Sequence, residues 1–217
     1  MAGPVPTIHG NDRKRGKIMI ISCIGDSITE GDYGVFGKRG IANVHKENYP
    51  YFLAQNTGWE VRNFGKCGFR ASTMLEYYED GNVDVRGSDY ILIMLGANGG
   101  LSAAENNPEN DSYRRIVAHC RNDAPKAEII LLTPTHVTEN RAFSNCGYIN
   151  NVTSAGEFTR QLAADEGLAV IESAHVPEFT PENESVYQAN DGLHFVEAGY
   201  RVLASFIEGE LRKIMAR

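Results

Sequence analysis

The sequence predicts an α/β protein with a mainly parallel sheet and helices on both of its faces. Two observations carry this. Five apolar runs of strand length recur along the chain, nearly continuous in Ile, Val and Leu rather than alternating, as strands buried on both faces read. Helix-length amphipathic patterns separate them, so strand and helix alternate from one end to the other.

The strand runs are 18–24, 60–64, 89–95, 127–133 and 168–172. The first ends on Ile24 and meets Gly25-Asp26-Ser27, a turn sequence. Ser27-Ile28-Thr29-Glu30 reads S-x-x-E, a helix capping box that would make Ser27 the cap. A helix over 48–57 places Tyr49, Phe52 and Leu53 on one stripe, and a short one is expected over 72–78. The pattern at 107–123 has Pro108 near its start, and that at 153–166 ends at Gly167, a fitting C-terminal glycine. The last helix, 196–216, carries Val202, Leu203, Phe206, Ile207, Leu211 and Ile214. Two stretches, 31–47 with four glycines and 134–152, are long and irregular, which in a compact fold points to function.

The chain has 217 residues, 42% hydrophobic and 23% charged, which suits one domain with a sizeable core. Residues 18–217 are read as that domain and 1–17 as an N-terminal extension. The net charge of −7 offers no footprint for nucleic acid or an anionic membrane, and Arg13-Lys14-Arg15 is too short to change this. No apolar run approaches the ~20 residues of a membrane span, and the N-terminus lacks a signal-peptide core. A cytoplasmic location without membrane insertion is therefore expected. Cys23, Cys67, Cys120 and Cys146 form no C-x-x-C pair, so zinc and dithiol redox sites are unsupported and reduced thiols are expected.

Ligands of open α/β sheets bind beyond the carboxyl ends of the strands. There the sequence places Gly25-Asp26-Ser27, then "NFGKCG" with Asn63, Gly65 and Gly68, then "LGANGG" with Asn98. Before the last helix comes "NDGLHF" with Asp191 and His194. Taken singly, each has an ordinary reading: a helix cap at Ser27, tight turns at Gly65 and Gly68, turn chemistry at Asn98 and Asp191, a packed histidine at His194. Taken together, they fill the roles of acyl transfer. Ser27 is the nucleophile, His194 its base, and Asp191 orients the imidazole. The N–H groups of Ser27 and Gly65 and the amide of Asn98 receive the oxyanion. Asp26, Tyr33 and His136 are candidate substrate contacts. Phe36 and His45 share the loops, and each loop aromatic could equally serve to pack them.

These blocks, in this order, resemble the SGNH (GDSL) hydrolase family of esterases and lipases. "GDSITEG" matches its first block, "NFGKCG" its second, "GANG" its third and "DGLH" its fifth, spanning residues 25–194. The resemblance implies a three-layer α/β/α sandwich around a five-stranded parallel sheet of flavodoxin-like order. It implies Ser27, Asp191 and His194 as triad, with Ser27, Gly65 and Asn98 as the oxyanion hole. One departure is Gly99, where many members carry an aspartate. No G-x-S-x-G is present, so the α/β-hydrolase elbow is unsupported.

The expected function is a serine ester hydrolase acting through an acyl-enzyme, with no metal or organic cofactor. Family members take acetylated carbohydrates, lysophospholipids, thioesters and aryl esters. The acidic composition and polar loops favour a small ester of short acyl chain, an acetylated sugar among them, with lysophospholipase or thioesterase activity as the alternative. A rival of another class is a binding protein on a flavodoxin-like scaffold, although no P-loop or dinucleotide fingerprint occurs. A third reading makes Cys67 the nucleophile, against the usual state of a lone cysteine as a small packed side chain. Oligomeric state leaves no trace in the sequence.

Overall fold

The computed structural model describes residues 18–34, 42–104, 106–138 and 148–217. The extension read over 1–17, together with Phe36 and Cys146, lies outside the described residues.

Five strands form one parallel sheet: β1 (Ile20–Gly25), β2 (Glu60–Gly65), β3 (Tyr90–Met94), β4 (Glu128–Leu132) and β5 (Ala169–Ile171), in the order β2-β1-β3-β4-β5. Each falls inside or within one residue of its apolar run. The order reverses at β1, between β2 and β3, so a crevice opens at the carboxyl ends there. In register, Gly25 of β1 lies beside Gly65 on one side and Met94 on the other.

Side chains alternate across the sheet, as the pleat requires. Ile91 and Ile93 join the core beneath α3 (Ala71–Tyr77), α4 (Pro108–Asp123) and α5 (Ile149–Glu166). Leu92 and Met94 join the opposite core beneath α2 (Tyr49–Thr57) and α7 (Glu197–Met215). The three-layer sandwich and the flavodoxin-like order agree with the sequence expectation.

Two short helices complete the set, α1 (Ser27–Glu30) and α6 (Glu184–Tyr187). Helix caps follow sequence where the chemistry is strong. Asn48 accepts from the Tyr51 N–H and Asn107 from the Glu109 N–H, while α5 ends at Gly167. The start of α5 differs from expectation by four residues. Ile149 and Val152 pack with Ala97, Val137 and Leu193, and this contact extends the helix without a side-chain cap.

The capping box at Ser27 is corrected. Asp26 is the cap: its Oδ1 accepts the Ile28 N–H at 3.1 Å, which frees Ser27 to open the helix. Glu30 does not reach back to the cap; its carboxylate binds Lys66 Nζ at 3.0 Å and the Cys67 N–H at 2.6 Å.

Candidate active site

Ser27 sits at the first helical position after β1, buried to 3% exposure, with its N–H lacking an acceptor among the described residues. A helix start leaves that N–H unpaired by construction, and the helix dipole favours negative charge there. From the other end of the chain, the loop before α7 brings in Asp191 and His194. That loop is held by the Gly192 N–H to Ala189 carbonyl bond and by the Ala189 N–H to His194 carbonyl bond, at 3.0 and 2.8 Å. Asp191 Oδ1 accepts the N–H groups of Leu193 and His194, each at 3.0 Å. Asp191 Oδ2 lies 2.7 Å from His194 Nδ1, and His194 Nε2 lies 2.8 Å from Ser27 Oγ. An acceptor-only carboxylate on Nδ1 puts the ring proton there and leaves Nε2 as the acceptor for the serine hydroxyl.

The surrounding charges strengthen the ring as a base. Burial acts against the imidazolium, yet the Asp191 hydrogen bond and the charges of Asp191, Asp32 and Asp26 outweigh it and hold the His194 pKa above its ordinary value. Burial would push Asp191 up, but its bonds from His194 and the neighbouring N–H groups lower it, so it is a carboxylate at neutral pH.

Two of the three expected oxyanion donors keep an open N–H, and one does not. Gly65 is corrected. Its N–H donates to Asn63 Oδ1 at 2.8 Å, and a Cβ there would collide with the backbone of Thr29 and Glu30. Its lack of a side chain lets β2 pack against α1. Asn63 completes that clamp by donating from Nδ2 to the Thr29 carbonyl at 2.7 Å. The glycine with a free donor is Gly68: its N–H has no acceptor among the described residues, its φ is +76°, and open space lies where a Cβ would project. The next residue, Phe69, offers its carbonyl to Asn98 Nδ2 at 3.0 Å, so Asn98 sits beside Gly68 with one amide hydrogen still uncommitted. The motif "NFGKCG" contained both glycines, and the hydrogen bond that Gly65 donates to Asn63 separates them.

The three candidate substrate contacts fare differently. Asp26 is corrected: it is buried to 2% exposure and its carboxylate accepts N–H groups from Ile28 and Ala97, so it braces α1 against the turn after β3. Burial pushes its pKa up to about 6. Tyr33 is corrected to a loop-packing residue, its hydroxyl donating to the Glu47 carbonyl at 2.6 Å and its ring stacked between His45 and Tyr200. His136 lines a cavity of about 280 Å³ with Thr135, Ile149 and His175, and its Nε2 lies 3.3 Å from Glu184 Oε1.

Cys67 carries a free thiol with Sγ 3.7 Å from Asp32 Oδ2, and its N–H is bound to Glu30. Burial and these two carboxylates push the thiol pKa up, the reverse of what a nucleophilic cysteine needs. Gly99 adopts φ +82° and its N–H closes a turn onto the Gly96 carbonyl. The Asn151 amide of α5 stands about 3.1 Å from the position of a Cβ.

A serine, an imidazole and a carboxylate lie hydrogen-bonded in series at the switch point of a flavodoxin-like sheet, an arrangement able to support nucleophilic acyl transfer. The chain belongs to the GDSL-like lipase/acylhydrolase family, whose sequence profile matches residues 23–202. Solved structures share the fold. A lipase/acylhydrolase from Enterococcus faecalis is 22% identical with a TM-score of 0.67, covering 90% of this chain and 96% of its own. The M. smegmatis aryl esterase is 19% identical with a TM-score of 0.67, covering 90% and 99%. A carbohydrate acetylesterase family member from Sinorhizobium meliloti is 19% identical with a TM-score of 0.65, covering 92% and 100%. Comparison with curated protein sequences found no match.

Proposed function

We propose that the protein hydrolyses esters of short acyl chains through a covalent acyl-enzyme on Ser27. The hydrogen-bonded series Asp191–His194–Ser27, at 2.7 and 2.8 Å, carries this reading. Ser27 Oγ attacks the ester carbonyl carbon while its proton passes to His194 Nε2. The developing oxyanion is met by the Ser27 and Gly68 N–H groups and the free amide hydrogen of Asn98. Collapse of the tetrahedral adduct expels the alcohol, which takes the proton from Nε2. Water then repeats the sequence on the acyl-enzyme and releases the acid. Asp191 holds the tautomer and stabilises the imidazolium.

The acyl preference rests on composition and surface. The exposed large hydrophobics among the described residues are Ile18, Val44 and Val186, single side chains rather than a lipid-binding patch. A carbohydrate acetylesterase family member from Sinorhizobium meliloti shares the fold, so an acetylated, polar substrate suits the scaffold. Lysophospholipase action would need room for a long acyl chain.

A p-nitrophenyl ester series from acetate to palmitate tests both statements. The wild type is expected to favour acetate, and Ser27→Ala or His194→Ala to lose at least about 10³-fold in kcat. Full activity in Ser27→Ala removes the nucleophile, and efficient palmitate cleavage removes the short-acyl preference.

A further inference from the structure

Asp32 brings a second carboxylate to His194 that the triad does not use. It follows α1, with its N–H donating to the Ser27 carbonyl at 2.9 Å and its carbonyl accepting the Tyr200 hydroxyl at 2.6 Å. The two carboxylate oxygens have different surroundings. Oδ1 accepts the N–H groups of Gly34 and Asn43 at 2.9 and 3.0 Å, which pins the carboxyl plane. Oδ2 faces the site, 3.8 Å from His194 Nε2 and 3.7 Å from Cys67 Sγ. A thiol is a weak donor, and the Asp32 side chain is only 10% exposed, so Oδ2 keeps unused acceptor capacity.

His194 Nε2 is also the atom that hands a proton to the departing alcohol. The alcohol oxygen must come within hydrogen-bond reach of Nε2, and Oδ2 lies beside that place. Resting on the ester-hydrolase reading above, we propose that Asp32 is a specificity residue: Oδ2 accepts a hydrogen bond from a hydroxyl on the carbon adjacent to the ester-bearing carbon of the alcohol. The site thereby takes monoesters of polyols, sugars among them, ahead of esters of simple alcohols.

Asp32→Asn separates the two oxygens. The side-chain carbonyl must still face the two backbone N–H groups, so the amide nitrogen replaces Oδ2 and an acceptor becomes a donor. The readout is the ratio of kcat/KM for 2-hydroxyethyl acetate over 2-methoxyethyl acetate, with thermal unfolding confirming that the variant is folded. The wild type is expected to favour the hydroxy ester by about tenfold or more, the scale of a lost hydrogen bond to a charged group. In Asp32→Asn the ratio falls to unity or below, because an ether oxygen can accept from the amide. A wild-type ratio near unity, which needs no variant to measure, overturns the proposal, as does an equal ratio in the two proteins. Either result beside normal p-nitrophenyl acetate cleavage leaves the ester-hydrolase reading standing. Failure of the wild type on all three esters removes that reading and the Asp32 proposal with it.

Discussion

At the scale of single residues, the proposed chemistry turns on one proton. His194 works as a base only while Nε2 is unprotonated. Burial lowers its pKa, but the Asp191 hydrogen bond and the surrounding carboxylates raise it further, leaving a net upward shift. As pH falls through that raised value the imidazolium forms and the serine loses its acceptor. The acid limb of kcat/KM is therefore expected to have its midpoint above the ordinary ~6.5 of histidine. A pH–rate profile checks this, and a midpoint well below 6 or a flat acid limb contradicts it. The residues proposed as nucleophile, base and orienting acid stood out in the sequence because acyl transfer demands those residue types, and their order along the chain matched a family. Which glycine of the second block keeps an open N–H was not legible. Gly65 and Gly68 share one motif, and a single 2.8 Å bond from the Gly65 N–H to Asn63 decides between them. Asp32 was equally hidden: in sequence it is one polar residue of a glycine-rich loop.

At the scale of elements, short connections hold the site together. Asp26 caps α1, Asn63 ties α1 to β2, and the Asn98 amide ties the turn after β3 to the loop after β2. The glycine-rich stretch after α1 contributes through Gly34, whose φ is +78° and where a Cβ would stand 2.7 Å from both Ala189 Cβ and Asp191 Oδ2. The loop backbone thus packs directly on the carboxylate that orients His194. Gly34→Ala is expected to lose at least about tenfold in kcat, by pushing Asp191 out of line, and to lose about 1–2 kcal/mol of stability from the left-handed backbone alone. Steady-state kinetics with a denaturant melt measures both, and a variant with wild-type kcat refutes the contact. The strands were readable because a parallel strand covered on both faces is apolar throughout. The first turns of α5 were not, since Ile149 and Val152 owe their helical state to a tertiary contact with Ala97, Val137 and Leu193.

At the scale of the whole molecule, the sheet order β2-β1-β3-β4-β5 does the assembling. The reversal at β1 opens the crevice, β1, β2 and β3 each deliver a turn to it, and the loop before α7 supplies the histidine from 167 residues further along the chain. The alternation of elements announced the sandwich, and family membership is fixed by a profile match across residues 23–202. Fold alone does not assign chemistry, since related scaffolds serve many functions. The central claim, a serine activated by the neighbouring imidazole, is tested most directly by treating the folded protein with a fluorophosphonate and reading the intact mass. One adduct is predicted, mapped to Ser27 by peptide mass spectrometry and absent from Ser27→Ala. A folded wild type that takes no label, or an adduct that persists undiminished in Ser27→Ala, would contradict it.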